Sequence, residues 1–230
     1  MAPVRLGRSR AGTTPPVLLL RPPGVYRPQE DTELLARSLA EAGVPRGATV
    51  LDACTGTGAL AVAAARAGAG EVTAVDRSRR AVATAFVNCL LHGVPVRVRH
   101  GDFSSVGGRY DVVCSNPPYV PAPGPPEPTG AARAWDAGAD GRAVLDRLCS
   151  ALPSLLAPGG FGLVVHSALC GVERTLRQLR DGGLGAEVVA WRDVGFGPVL
   201  RSRARWLEGR RMIAPGQRHE RLVVVRADAP

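Results

Sequence analysis

The sequence predicts a doubly wound α/β fold: a mostly parallel seven-stranded sheet with helices on both faces and an antiparallel pair at one edge. Three observations predict it. Short apolar runs alternate with helix-periodic segments from Ala48 to Val225. The segment from Ala59 to Ala67 is apolar nearly all round, as expected of a helix buried against a sheet. The last two predicted strands have no helical pattern between them, which favours antiparallel pairing.

The elements follow in order. Residues 1–24 carry Arg5, Arg8, Arg10 and Arg21, five prolines and no acid, and read as a flexible basic arm. Residues 25–230 read as one domain without repeats or a linker. Leu34, Leu35, Leu39 and Ala42 share one side of a helix over residues 32–42, which Gly43 and Pro45 end. Ala48 to Cys54 is the first strand, running into Thr55-Gly56-Thr57-Gly58. Glu71 to Asp76 is the second, after which Ser78 caps a helix reaching about His92. Val94 to Arg99 and Tyr110 to Cys114 are the third and fourth. The prolines at 117, 118, 121, 123, 125, 126 and 128 are too dense for a helix or a central strand. A leucine stripe predicts a helix over residues 141–157, stopped by Pro158-Gly159-Gly160. Phe161 to His166, a helix from Leu169 to Arg180, and strands at Ala186 to Val194 and Arg221 to Val225 complete the pattern.

Composition narrows the function. The 230 residues are 45% hydrophobic and 21% charged, which is globular. No apolar run approaches the ~20 residues of a membrane span or the roughly 7–15 of a signal-peptide core, so a cytoplasmic location is expected. Five cysteines stand at least 21 residues apart, without Cys-x-x-Cys or a nearby histidine pair. That pattern argues against disulfides and a metal site, and buried thiols are expected for four of the five. The net charge of +9 rests on arginine alone, with no lysine. Arginine inflation alongside alanine, glycine and proline suggests a GC-rich coding sequence, so the charge argues only weakly for a polyanion.

In an open α/β sheet, ligands bind outside the carboxyl ends of the strands. The first such loop, Asp52 to Gly58, has glycines that let backbone N–H groups approach a ligand. Asp76 follows the second strand, 18 residues beyond Gly58. An acid there accepts ribose hydroxyls or, alternatively, caps the next helix. Together the two loops point to a nucleoside cofactor. Gly101-Asp102-Phe103 is either a plain turn or a site for an adenine amino group.

The fourth loop, Asn116-Pro117-Pro118-Tyr119, is the most specific. Two prolines stiffen the backbone past a strand end. The asparagine oxygen and a proline carbonyl can then accept both hydrogens of one planar NH2 group, with Tyr119 bordering its plane. A conjugated NH2 is a poor nucleophile because its lone pair is delocalised. Two acceptors favour the pyramidal nitrogen and its developing positive charge, which is transition-state stabilisation without a general base.

With these motifs the chain resembles the HemK-like class I S-adenosylmethionine-dependent methyltransferases, in the short branch without an N-terminal helical domain. The resemblance covers residues 24–194 and 221–225. It rests on Tyr26-Arg-Pro-Gln-Glu-Asp-Thr32, on Asn116 to Tyr119, and on Ala134-Trp135-Asp136-Ala-Gly138 with Gly141 and Asp146. It implies a Rossmann-like class I methyltransferase fold, S-adenosylmethionine as cofactor and the glutamine side-chain amide of a release factor as acceptor. Thr32, with Glu30 and Asp31, would border the methionine end of the cofactor. Asp52, Thr55, Gly56 and Gly58 would surround its amino acid moiety, Asp76 its ribose, and Asp102 with Phe103 its adenine. Asn116, Pro117, Pro118 and Tyr119 would hold the acceptor amide. Cys54 stands where the family often has glycine; if that position needs positive φ, cysteine strains it by roughly 1–2 kcal/mol.

The alternative is an adenine-N6 methyltransferase of RNA or DNA, which shares the four-residue clamp. The basic segments 1–21 and 201–218 would serve it. The segment 195–219, with Arg201, Arg203, Arg205, Arg210, Arg211 and Arg218 against only Glu208, reads first as a solvated hairpin and otherwise as a contact for RNA or an acidic partner. A cofactor-binding scaffold without catalysis is disfavoured by the intact clamp, and an NAD-dependent oxidoreductase by the lack of Gly-x-Gly-x-x-Gly. Short members of the family can need an activating subunit, a dependence that leaves no sign in this sequence.

Overall fold

The computed structural model describes residues 18–124 and 128–230. The strands are β1 (Thr49–Ala53), β2 (Glu71–Asp76), β3 (Val96–His100), β4 (Tyr110–Ser115), β5 (Leu156–Ser167), β6 (Gly185–Gly195) and β7 (His219–Asp228). They form one sheet in the order β3-β2-β1-β4-β5-β7-β6. The first five pair in parallel, and β7 runs antiparallel to both β5 and β6. The central strands are apolar on both sides because both faces are covered: Val50, Leu51, Val112, Val113 and Cys114 have no solvent exposure.

Helices α1 (Glu30–Ala42), α2 (Ala59–Arg66) and α3 (Arg79–Leu91) pack side by side on one face. Helices α4 (Ala143–Leu155) and α5 (Val172–Asp181) pack against each other on the opposite one. Ser78 caps α3, its hydroxyl accepting from the Ala81 N–H at 3.3 Å. The chain leaves β1 toward β2 on one side and returns to β4 on the other. The β1–β4 boundary is therefore the switch point where such sheets open a crevice.

Three expectations need correction. Residues 195–218 do not form a solvated hairpin. They carry a sixth helix, α6 (Pro198–Gly209), which buries Leu200, Ala204 and Leu207 with Phe196 and Ile213 in a small separate core. Arginines at three helical positions mask this apolar stripe, so the last two strands do have a helix between them and pair antiparallel all the same. Strand β5 begins at Leu156, directly after α4 ends at Leu155, so Pro158-Gly159-Gly160 stops no helix and lies within the strand, at a register shift opposite Tyr110 and Val112. Of the basic arm, residues 1–17 lie outside the described part, but residues 18–24 are tied to α3. The buried Asn88 side chain accepts from the Leu20 N–H (2.7 Å) and donates to its carbonyl (3.0 Å), and Arg80 donates to Pro23 O at 2.8 Å.

Among the described residues no helix is long and apolar enough to cross a membrane. All five cysteines are free thiols; the four expected in apolar surroundings are buried, and Cys54 is partly exposed.

Candidate active site

A cavity of about 430 Å³ opens at the carboxyl ends of β1, β2 and β4, within the roughly 300–1,000 Å³ usual for small-molecule sites. One end is walled by the loop Cys54 to Thr57, Asp76 and Gly101-Asp102-Phe103. The other is walled by Thr32 and Asn116 to Tyr119, and Pro128 with the turn Gly130–Ala134 and Trp135 add a further wall. Ten of the predicted site residues meet here: Thr32, Thr55, Gly56, Asp76, Asp102, Phe103, Asn116, Pro117, Pro118 and Tyr119.

Asp52 and Gly58 do not line the cavity. Asp52 is fully buried beneath the loop, where one oxygen accepts from Thr55 Oγ1 (2.6 Å) and the Ala61 N–H (3.0 Å). It shapes the loop and the start of α2 from below. Burial pushes its carboxyl up to about 7, against the pull of those two hydrogen bonds. Gly58 sits at φ +82°, and a Cβ there would come within 3.2 Å of Ala85, so it serves the close approach of α2 and α3. Cys54 has φ +61°, the left-handed conformation that cysteine pays for.

At the β2 end, Asp76 joins two elements. Oδ2 accepts from the Gly56 N–H at 3.0 Å and Oδ1 from the Ser78 N–H at 2.8 Å. Burial raises its pKa, and the two N–H donors oppose that. Each oxygen still has a lone pair for a hydroxyl from the cavity. Asp102 is more committed: it accepts from Ser104 N and Oγ, and Arg147 donates to its other oxygen at 2.7 Å. Burial would raise its carboxyl, but these donors together hold it below the usual range. Arg147 also lies over the Phe103 ring, 5.3 Å from its centroid.

The acceptor end hangs on Asp31, which is 2% exposed. Its Oδ2 accepts from the hydroxyls of Tyr26 (2.6 Å) and Tyr119 (2.9 Å). Its Oδ1 accepts from Thr32 N (2.6 Å) and Thr32 Oγ1 (3.2 Å). Burial and the adjacent carboxylate push both phenols up, so both stay protonated donors. Because the single Thr32 hydroxyl proton points to Asp31, its lone pair receives Asn116 Nδ2 at 3.2 Å. That relay orients the carboxamide and leaves Oδ1 uncommitted among the described residues, on a side chain that lines the cavity.

Three features escaped the sequence reading. Asp31, expected with Glu30 to border the cofactor, does not line the cavity, and neither does Glu30; Asp31 is instead the hub that holds Thr32 and Tyr119. Arg147 completes the Asp102 corner from α4. Arg203 of α6 binds Asp136 through both guanidinium nitrogens, at 2.6 and 3.0 Å. No local pattern marks these partners, which lie 45 and 67 residues away from the groups they meet.

Comparisons with known proteins agree with this geometry. Residues 18–124 match the family model described as Methyltransferase small domain. A provisionally named protein N5-glutamine methyltransferase of Methanocaldococcus jannaschii is 35% identical over 180 residues, spanning 77% of this chain and 90% of that protein. The release factor glutamine methyltransferase of Mycolicibacterium smegmatis is 33% identical, over 78% of this chain and 66% of its own length. Among solved structures, the E. cuniculi Mtq2–Trm112 complex, described as responsible for methylation of the eRF1 termination factor, superposes with a TM-score of 0.61. It shares 20% identity across 90% of this chain and 99% of that one, a likeness of fold. A switch-point cavity with an acid at the end of β2, a stiffened Asn-Pro-Pro-Tyr run at β4 and a near full-length relative lead to one assignment: the chain belongs to the HemK-like class I methyltransferases, enzymes that transfer a methyl group from S-adenosylmethionine to nitrogen.

Proposed function

We propose that this enzyme methylates the side-chain amide of glutamine in a release factor or similar protein, and that the clamp Asn116 to Tyr119 holds that amide. The observation that carries the reading is the relay Asp31–Thr32–Asn116, which leaves a carboxamide oxygen uncommitted on a side chain that lines the cavity. The residues fit the cofactor: Asp76 retains lone pairs for two ribose hydroxyls, the buried Phe103 ring borders an adenine, and Gly56 has nothing closer than Tyr26 Cβ at 4.0 Å where a side chain would stand. Thr32, Thr55 and Gly56 lie where the amino acid moiety would rest. When bound, S-adenosylmethionine supplies an electrophilic methyl on sulfonium.

The chain's own residues do the rest. Asn116 Oδ1 and the Pro117 carbonyl accept the two amide hydrogens, while Pro118 and Tyr119 border the plane. Localising the nitrogen lone pair then costs less, and the charge that develops on nitrogen meets two acceptors already in place. Asp31 cannot act as a base, since both its oxygens are taken; the spare proton leaves to solvent after transfer. Holding the amide in line replaces a bimolecular encounter.

A base methyltransferase would use the same clamp, but three arginines of the basic segment 201–218 already have partners within the chain. Arg203 pairs with Asp136, Arg218 with Glu208, and Arg210 lies over Trp206. An exposed apolar face of Phe86, Leu90 and Leu91 on α3, beside Leu18 and Leu20, supports an accessory protein subunit. Five free thiols support a reducing, cytoplasmic setting. The test is mass spectrometry after incubation with heavy-methyl cofactor, using recombinant release factor in one arm and total RNA in the other. Label on glutamine is expected; label confined to adenine, or to no macromolecule, overturns the reading.

A further inference from the structure

Helix α6 is an excursion between two edge strands, yet it reaches the acceptor end of the site. Val120, which follows the clamp, packs against the separate core built by α6. Val120 also bridges to Asp136 in the opposite wall: its N–H donates to Trp135 O (2.8 Å) and its carbonyl accepts from the Ala137 N–H (3.0 Å). The Ala122 N–H reaches Gly138 O at 2.9 Å. An isolated bridge of this kind has little stability of its own. Arg203 closes it from α6. Its guanidinium forks onto both Asp136 oxygens and Nη1 also donates to Pro121 O at 3.0 Å. The two side chains are only 18% and 11% exposed, so the pair is shielded, and the planar fork suits a carboxylate as an ammonium would not.

We propose that Arg203 is a positioning residue for methyl transfer, tying Asp136 and Pro121 together so that the backbone leaving Asn116–Tyr119 keeps the acceptor nitrogen in line. This rests on the clamp reading above. The other supports act earlier in the run: Thr32 on Asn116, Asp31 on the Tyr119 hydroxyl, and Cys170 Sγ on the Tyr119 carbonyl at 3.1 Å. Arg203 restrains the exit. Without it, a shielded carboxylate loses its partner and three backbone hydrogen bonds are left to hold residues 120–122 to the opposite wall.

Arg203→Met, Arg203→Lys and Asp136→Asn test this in the full chain. In Arg203→Met, the amides of Val120, Ala122 and Ala137 should exchange hydrogen about tenfold faster or more, with β1 and β4 unchanged. Cofactor affinity by calorimetry should stay within about twofold, while turnover on recombinant release factor at saturating cofactor falls about tenfold, part of the 10²-fold that a 1 Å misplacement costs. Arg203→Lys should recover part of both changes, since it keeps a charged donor and loses the fork. Unchanged exchange, unchanged turnover, or turnover lost only in proportion to cofactor binding overturns the proposal. Should Arg203→Met fail to fold, the other two variants carry the same comparisons. Wild-type enzyme that leaves release factor unlabelled but labels RNA refutes the glutamine reading alone, and turnover is then compared on RNA.

Discussion

Asn116→Ala removes one acceptor from the amide clamp, and the structure sets what should follow. The polarity of the relay is fixed at its far end: Asp31 already accepts from Thr32 Oγ1, so Thr32 receives the Asn116 NH2 and Oδ1 is the group left to meet substrate. Losing an equivalent preorganised group elsewhere costs about 2.7–4 kcal/mol, so turnover should fall roughly 10²–10³-fold. Thr32→Val keeps the shape of the side chain and cuts only the relay. The carboxamide then loses one hydrogen bond of about 1 kcal/mol, and turnover should drop about fivefold. The assay is single-turnover transfer of labelled methyl to recombinant release factor, with cofactor saturating so that binding does not enter. Wild-type rates in Asn116→Ala would refute the reasoning. So would a Thr32→Val variant as impaired as Asn116→Ala, because orientation would then matter as much as the acceptor itself.

Further outcomes follow from the cofactor end. Asp76→Ala should weaken S-adenosylmethionine by roughly 1–3 kcal/mol through unpaired ribose hydroxyls, and unchanged affinity by calorimetry would count against that role. Cys54→Gly and Cys54→Ala both lose the thiol, but only glycine relieves the φ of +61°; strain of about 1–2 kcal/mol less an entropic cost of about 0.5–1 makes the glycine variant the more stable by up to about 1.5 kcal/mol in urea melts. Asp52, with its carboxyl pushed up to about 7, keeps in the folded state a proton that the unfolded chain releases near pH 4. Its contribution to stability is therefore complete below that pH and lost as pH rises toward 7, by up to about 1.4 kcal/mol per pH unit. Glu220, also near 7, acts in the same sense, and His166, held near 4 by burial, in the opposite one. Asp52→Asn should flatten the decline between pH 5 and 7, and parallel stability profiles for variant and wild type would sink the assignment.

The order of strands and helices around the sheet was legible along the chain. Val50, Leu51, Val112 and Val113 are apolar without alternation because both faces of the strands are covered, and that leaves a mark in every residue. Asn116-Pro117-Pro118-Tyr119 was legible for a related reason: the chemistry needs four consecutive residues at one strand end, so spacing alone carries it. Helix α6 was hidden because three arginines on one short helix, Arg201, Arg203 and Arg205, obscure its buried stripe. Asp52 and Asp76 look alike in sequence, each an acid near the carboxyl end of an apolar strand, yet one faces under its loop and the other borders the cavity. Which way a strand-end side chain turns depends on neighbours from elsewhere in the chain.

The sequence by itself determined the sheet, the switch-point cavity and most of the groups that line it, since local periodicity and short motifs follow from backbone geometry within a few residues. The tertiary structure alone decided how those groups are held. Asp31 meets Tyr119 across 88 positions and Arg203 meets Asp136 across 67. Such pairings arise when buried polar groups find partners on whichever elements packing brings near, and that proximity is a property of the folded chain.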